Sequence, residues 1–358
     1  MRADLALVGF GNVARRFVRL LDERRSDLND TFDLECRIVA IATRRHGARL
    51  ALEGLDPIEA AATVERGAQL DATGQNRALD AIRLLGTSTS PLRVVLETTT
   101  LEIKDGEPAR SHLRAALDAG CHVVTANKGP AAFAWRELQA HADARGLSFL
   151  FEGAVMDGVP VLSLVRETLP AVRVLGFRGV VNSTTNHVLT ALEDGEPFGP
   201  ALARMQAEGI AEADASLDLE GWDAAAKAAV LANVWLDARI TPHDVERQGL
   251  GPGTAVEAQA ARARGRRLRL VASAARGKRP TVRPTELEGH DLLAGLRGMA
   301  NALVIETDLL GRIAVTQLDG GLTQTAYALL SDLVTIRRRT AARPGAPARR
   351  IPGSRGRR

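Results

Sequence analysis

The stretch Leu5-Ala6-Leu7-Val8-Gly9-Phe10-Gly11-Asn12-Val13-Ala14 decides the fold. Leu5–Phe10 is a short apolar run of the kind that forms a buried strand, and Asn12–Leu21 carries its apolar residues at helical spacing. The turn between them fits G-x-G-x-x-G/A. Gly9 permits the tight turn, and Gly11 lets backbone N–H groups approach a pyrophosphate at the helix N-terminus. Gly9, Phe10, Gly11, Asn12 and Val13 are therefore the expected contacts of a dinucleotide. A tight strand-to-helix turn with no ligand gives the same pattern, but the position at the head of a βαβ series favours the ligand.

Strand and helix signals continue to alternate beyond this turn. Leu34–Ala42, Arg93–Thr100, Cys121–Ala126 and Leu147–Phe151 read as strands, and Glu107–Ala119 and Pro130–Arg145 as helices ending at Gly120 and Gly146. The alternation predicts an α/β chain whose N-terminal domain, residues 1–150, is a Rossmann-type doubly wound parallel sheet. The pattern changes after Phe151. Asp157–Pro160 can open a helix running to Thr168. Strand signals follow at Val172–Val181, Arg266–Ala275, Val282–Glu286, Ala302–Thr307 and Arg312–Gln317, and helix signals at Thr184–Leu192, Ala201–Ala207, Asp223–Leu236 and Thr325–Thr335. Residues 151–311 are thus expected to form a second α+β lobe, with 312–336 returning to the first domain.

Composition narrows the classes. With 358 residues, 45% of them apolar, the chain has material for two or three domains and a sizeable core. Two cysteines, Cys36 and Cys121, are too few for a disulfide framework or a cysteine metal site. There is no signal-peptide pattern and no run of about 18 apolar residues, so a cytoplasmic protein without a membrane span is expected. Residues 337–358 hold nine arginines and no acid; without them the net charge of +4 becomes −5. This Arg-, Pro- and Gly-rich tail is expected to be disordered. Nucleic acid is not an expected partner, since only the tail would suggest one.

Three further segments carry chemistry. The end of the second strand reads Ala42-Thr43-Arg44-Arg45, where a site for NAD usually places an acid against the ribose 2′-OH. Arg44 and Arg45 suit a 2′-phosphate instead, so NADP is expected over NAD, unless the two are only surface arginines. Leu96–Thr100 ends a strand where such a sheet lines its cofactor crevice, placing Thr98 and Thr99 there. Val124-Thr125-Ala126-Asn127-Lys128-Gly129-Pro130 puts Ala126 and Lys128 at the end of the next strand. A lysine there can contact a phosphate, polarise a carbonyl oxygen or merely be solvated. In the stretch 209–227, Glu212, Asp214, Asp218, Glu220 and Asp223 precede Lys227. Asp223 and Lys227 are four apart and share a helix face. The pair reads either as a proton carrier beside its carboxylate or as a surface ion pair.

Taken together, the chain resembles homoserine dehydrogenase over about residues 3–336. Seven segments carry the resemblance, in family order: Gly9–Val13, Gly106–Pro108, Val123–Pro130, Glu152–Pro160, Asn182–Asn186, residues 209–227 and Thr307–Gly311. The resemblance implies interconversion of L-homoserine and L-aspartate 4-semialdehyde in threonine and methionine biosynthesis. It also implies a homodimer or homotetramer assembled through the second lobe. Lys227 falls on the family's catalytic lysine, Asp223 on its acidic neighbour, and Lys128 on the lysine near cofactor and substrate. Glu212 falls on the carboxylate that binds homoserine, with Asp218 and Thr184 in the same substrate site. Glu152, Val155, Asp157 and Val159 fall where relatives bind a structural sodium ion, largely through backbone carbonyls.

Two departures stand out. Asp157 occupies a position where the family has a small residue. Gln317-Leu318-Asp319-Gly320-Gly321 replaces a richer Gly-Pro-Gly-Ala-Gly run that touches the cofactor; Gly321 is retained, while Asp319 would repel a phosphate. No counterpart of the regulatory C-terminal domain of some relatives is seen, so no threonine inhibition through it is expected. The competing readings are a catalytically inactive NADP-binding sensor, another small-molecule dehydrogenase of the same fold, and a thioester-forming semialdehyde dehydrogenase. The last needs an activated cysteine, and Cys36 and Cys121 both read as structural.

Overall fold

The computed structural model describes residues 1–71, 77–207 and 214–341. The first sheet contains β1 (Arg2–Val8), β2 (Glu35–Ala42), β3 (Ala48–Leu50), β4 (Leu92–Glu97), β5 (His122–Thr125) and β6 (Phe149–Leu150), in the order β3-β2-β1-β4-β5-β6. The short edge strand β3 is antiparallel to β2, and all other neighbours are parallel. Leu5–Val8 and Val94–Leu96 are buried throughout, as parallel strands covered on both faces must be. Strand order reverses at β1. Val8 is in register with both Ala42 and Glu97, and Glu97 with Thr125. Four strands therefore stop at one level, and the loops that follow them open a crevice at the switch point.

The second sheet contains β7 (Val174–Val180), β8 (Glu246–Arg247), β9 (Arg267–Ala275), β10 (Thr281–Leu287), β11 (Asn301–Thr307) and β12 (Arg312–Gln317), in the order β12-β11-β7-β9-β10-β8. Only β8 and β10 pair in parallel. The helices Ser183–Glu193, Trp222–Leu236 and Thr254–Ala263 lie against this sheet. Trp222–Leu236 is buried on nearly every face, between β9 and the helix Lys128–Ala144 of the first lobe. Its run of alanines permits that close packing: Ala224, Ala225, Ala226, Ala228, Ala229 and Ala232 all lie in the core. A helix apolar all round must be buried all round.

Three expectations need correction. The helix expected up to Thr168 is one α turn, Val161–Ser163, that widens into a π turn over Leu164–Thr168. Asp157 cannot open it, because its backbone is left-handed, with φ +49°. Arg312–Gln317 does not return to the first domain: the turn at 308–311 folds it back on β11, with Gln317 opposite Asn301. Only the helix Leu322–Ala341 returns, placing Ala326, Leu329, Leu333 and Ile336 in a core shared with Phe17 and Leu5. That helix also takes in the first residues of the expected disordered tail. Arg337 pairs with Asp33 at 2.8 Å and Arg339 with Glu167 at 2.6 Å. The rest of the tail lies outside the described residues. Among those described, no helix is long and apolar enough to cross a membrane.

The last helix is tied to the lobe junction by Asp332, whose Oδ2 accepts the Glu152 N–H at 2.9 Å. Burial, reinforced by the Glu152 carboxylate, pushes the Asp332 carboxyl up to about 7. A carboxyl raised in the fold favours the folded state fully below the ordinary carboxylate range, and that contribution is lost as pH rises through about 7. Asp332→Asn keeps an acceptor oxygen and removes the charge. Its melting temperature is expected to exceed that of the unsubstituted protein by about 2–4 °C at about pH 8, with the gap narrowing toward about pH 5. Scanning calorimetry at both values checks this, and a gap independent of pH would contradict it.

Candidate active site

The crevice begins at the Gly9 turn. Gly9 has φ +90°, and a Cβ there would stand 2.7–2.9 Å from the Thr98–Thr99 backbone. Both conformation and space demand glycine. Gly9 N donates to Ala42 O (2.9 Å), Thr98 N to Val8 O (2.8 Å) and Thr98 Oγ1 to Gly9 O (3.1 Å). A Cβ on Gly11 would meet nothing within 4 Å. It faces open space where a phosphate fits against the N-terminus of the helix Asn12–Glu23.

A cleft of about 650 Å³ follows this turn. Gly9, Phe10, Gly11, Arg44, Arg45, Thr98 and Thr99 line it. Asn12, Val13, Ala126, Lys128 and Gly321 do not. Asn12 and Val13 begin the helix itself, and Ala126 and Lys128 follow the neighbouring strand. Gly321 precedes the last helix, where Thr323 accepts from Arg16 Nε at 3.0 Å and so brings that segment beside the first helix.

Arg15 in the cleft wall and Glu97 buried behind it are not singled out by sequence. Arg15, on the first helix, lines it and donates to Phe10 O at 2.9 Å. Glu97, fully buried at the end of β4, fixes the loops. Its Oε1 accepts from Thr99 N (2.8 Å) and Thr99 Oγ1, and its Oε2 from Thr125 Oγ1 (2.6 Å). Burial pushes the Glu97 carboxyl up, opposed by the Thr125 and Thr99 hydrogen bonds. The available signal is a carboxylate directly after the apolar run Val94-Val95-Leu96.

Asn127 ties this frame to the start of the helix Lys128–Ala144. Its Nδ2 donates to Thr99 Oγ1 at 3.4 Å, and its Oδ1 caps the following helix by accepting from Gly129 N at 2.9 Å. The adjacent Lys128 sets its Nζ 3.1 Å from Asp223 Oδ1, while Lys227 Nζ lies 3.0 Å from Asp223 Oδ2. Lys227 also donates to Val181 O at 2.5 Å. One carboxylate thus holds two lysines, one from each lobe. Asn182 completes the cluster, its Nδ2 donating to Asp218 Oδ1 (2.7 Å) and Asp223 Oδ2 (2.9 Å). Its Oδ1 caps the helix Ser183–Glu193 through Thr185 N at 2.8 Å. Thr184, the second residue of that helix, is buried beside Asp218 and lowers its carboxyl slightly. Asn182 is not marked as a site residue by sequence, because its role appears only when Asp218 and Asp223 converge on it.

The electrostatics separate the two acids. Burial would raise the Asp223 carboxyl, but Lys128 and then Lys227 hold it well below the usual range, and its first-turn position adds favourable helix dipole. Asp218 is pushed up, first by burial and then by the Asp223 charge. Burial would lower the Lys128 ammonium, yet Asp223 carries it above its ordinary value. The cluster can hold a fixed anion, a cation and a movable proton within hydrogen-bond reach of one another. Glu212 lies outside the described residues.

The expected sodium ligands sit at the lobe junction. The Glu152 carboxylate accepts from Leu162 N (2.7 Å) and Ser163 N (2.8 Å). Asp157 accepts from Gln317 and Thr325. Val155 is buried, and the N–H of Val159 donates to Met156 O at 2.9 Å. Among the described residues, no group of three or more His, Cys, Asp or Glu side chains gathers as a metal site.

Known proteins place this architecture. Family models match as "Homoserine dehydrogenase, NAD binding domain" over residues 9–152 and "Homoserine dehydrogenase" over 160–334. An NAD(+)-dependent homoserine dehydrogenase of Pseudomonas canavaninivorans is 36% identical over 93% of this chain and 95% of the relative. The homoserine dehydrogenase of Methanocaldococcus jannaschii is 33% identical over 93% and 98%. A crystal structure of homoserine dehydrogenase from Thermoplasma acidophilum superposes with TM-score 0.79 at 25% identity, covering 94% of this chain and 100% of that one. A hyperthermophilic archaeal homoserine dehydrogenase in complex with NADPH gives 0.77 at 26%, covering 94% and 98%. With both family models matched in order along one polypeptide, the chain belongs to the homoserine dehydrogenase family.

Proposed function

We propose that Lys227 is the proton carrier, held by Asp223, in the reversible NAD(P)-dependent interconversion of L-homoserine and L-aspartate 4-semialdehyde. The observation that carries this reading is the single carboxylate of Asp223 between Lys128 and Lys227, at 3.1 and 3.0 Å. A bound nicotinamide supplies the hydride acceptor or donor. Lys227 takes the hydroxyl proton when the alcohol is oxidised and returns it to the aldehyde oxygen on reduction. Its amine already faces two acceptors, Asp223 and Val181 O, so the ammonium form keeps a third N–H to give the aldehyde oxygen, and the neutral form a lone pair there to take the hydroxyl proton. Asp223 orients it, and Lys128 stands on the cofactor side of the same carboxylate. Asp218 and Thr184 border the substrate, and Glu212 would pair with its ammonium group, a charge-assisted bond. Purified protein assayed with homoserine and each cofactor tests the reading at the nicotinamide absorbance band; no homoserine-dependent reduction with either cofactor would overturn it.

The residues present fit the cofactor: a glycine turn, an open Gly11 and three cleft arginines. NADP is the preferred form in this reading, supported by Arg44 and Arg45 on the cleft wall and by Thr43 where an acid would favour NAD. The double variant Arg44→Ser/Arg45→Ser is expected to raise the KM for NADP more than about tenfold, the loss of roughly 1.4 kcal/mol or more of phosphate binding, with the KM for NAD little changed. Equal changes with both cofactors would contradict it.

The sodium ion belongs to the same proposal. It would be held at Glu152, Val155, Asp157 and Val159 by main-chain carbonyl oxygens, since both carboxylates are already taken by N–H and O–H donors. Assembly as a homodimer or homotetramer through the second sheet is supported by exposed Leu175, Leu309 and Leu310 at one end of that sheet.

A further inference from the structure

The Asp157 carboxylate is bonded to both ends of one loop. Its Oδ2 accepts from Gln317 Nε2 at 2.9 Å, at the end of β12, and its Oδ1 from Thr325 Oγ1 at 3.0 Å, in the first turn of the last helix. The residues between, 318–321, lie across it: a Cβ on Gly320 would stand 3.5 Å from Asp157 Oδ2 and 3.7 Å from Ser183 Oγ. The neighbouring turn is pressed against the same helix, since a Cβ on Gly158 would come within 2.4 Å of Gln324 O. Both ends of the Gln317 amide are engaged, Nε2 by Asp157 and Oε1 by Asn301. Asn301 Nδ2 donates to Gln317 Oε1 at 3.2 Å and to Ser183 Oγ at 2.7 Å. Ser183 follows Asn182, which holds Asp218 and Asp223. Beyond the loop, Thr323 is bonded to Arg16 on the helix that opens at the glycine turn. Two runs of hydrogen bonds, joined through the chain neighbours Asn182–Ser183 and Thr323–Thr325, thus lead from the substrate acids through Asn301, Gln317 and Asp157 to the loop and the first helix.

We infer that Asp157 is a positioning residue that holds the 318–321 loop between the cofactor crevice and the substrate site, and so sets cofactor affinity. This rests on the proposed NAD(P)-dependent reaction, with the segment after the loop bonded to the helix that opens at the glycine turn. With Oε1 of Gln317 taken by Asn301, its Nε2 is the end that meets residue 157, and the Asp157 carboxylate supplies the acceptor. The carboxylate serves two donors at once, which a glycine at this left-handed position could not do.

The test uses the full-length protein, homoserine, and the cofactor it turns over better. Asp157→Gly fits the left-handed backbone and removes both bonds; the KM for cofactor is expected to rise about tenfold, with kcat within about threefold. Gln317→Glu sets a carboxylate against Asp157 and should raise the KM similarly. Adding Asp157→Asn to Gln317→Glu reverses the polarity of the pair, the new amide donating to the new carboxylate, and should bring the KM back to within about threefold of the starting protein. A KM unchanged in Asp157→Gly, or a double variant no better than Gln317→Glu alone, would overturn the inference. Should Asp157→Gly fail to fold, the Gln317→Glu comparison still decides. Absence of homoserine turnover in the unsubstituted protein would refute the functional reading instead.

Discussion

Lys227→Met is expected to lose about 10²–10⁴-fold in kcat, the range that acid–base assistance supplies, while the cofactor Kd stays within about threefold. Methionine nearly matches the length of the lysine and suits its largely buried site. Removing the amine does not orphan Asp223, because Lys128 remains 3.1 Å from its other oxygen. The fold should therefore survive, and the loss falls on proton transfer. The glycine turn, the cleft arginines and Glu97 are untouched, so binding should persist. Stopped-flow turnover beside a fluorescence titration of cofactor separates the two. A variant with near-normal kcat would remove Lys227 from the chemistry.

Asp223→Asn should cost both activity and stability. Asp223 is the common anion of Lys128 and Lys227 and accepts the Asn182 amide. Breaking a buried pair by neutralising one partner typically costs about 3–5 kcal/mol, because the other charge is left uncompensated. Here two ammonium groups would be left. The burial that opposes charge on Lys128 would then act without the carboxylate that outweighs it, so its pKa should fall and the alkaline limb of the pH–rate profile should move down. We expect kcat/KM to fall by on the order of 10²-fold. Stability follows the same charge. A carboxyl depressed in the fold contributes fully above the ordinary carboxylate range and loses that contribution as pH falls below it. Urea unfolding should therefore show the largest difference between the two proteins near neutral pH and a shrinking one in acid. A difference that grows in acid would contradict the assignment of Asp223 as the buried anion.

Much of the site was legible because its chemistry is local in sequence. The glycine turn is one stretch of six residues, and Asp223 and Lys227 share a helix face by spacing alone. The parallel sheet followed from strand and helix signals that simply alternate. What was missed is what only topology creates. Glu97 reads as a strand residue until Thr99 and Thr125 fold onto it from two different loops. Asn182 is a helix cap in sequence, and becomes a junction only when Asp218 and Asp223 arrive from residues 36 and 41 positions away. The boundary at 312 was misplaced because a hairpin obeys its own short turn, whichever lobe the chain visits next. Asp157 shows the same limit: its departure from the family pattern was visible, but its two partners lie 160 and 168 residues along the chain.

The central claim is spatial: the Lys227 amine serves the reacting oxygen of the substrate. A crystal structure of the Asp157-intact, full-length protein with oxidised cofactor and homoserine tests it directly. The account predicts Lys227 Nζ within about 3 Å of the homoserine hydroxyl oxygen, hydrogen-bond distance for a general base, with Asp223 still bridging the two lysines. A hydroxyl seated beyond the reach of Lys227, even through one bridging water, with the substrate otherwise ordered in the crevice, would contradict it.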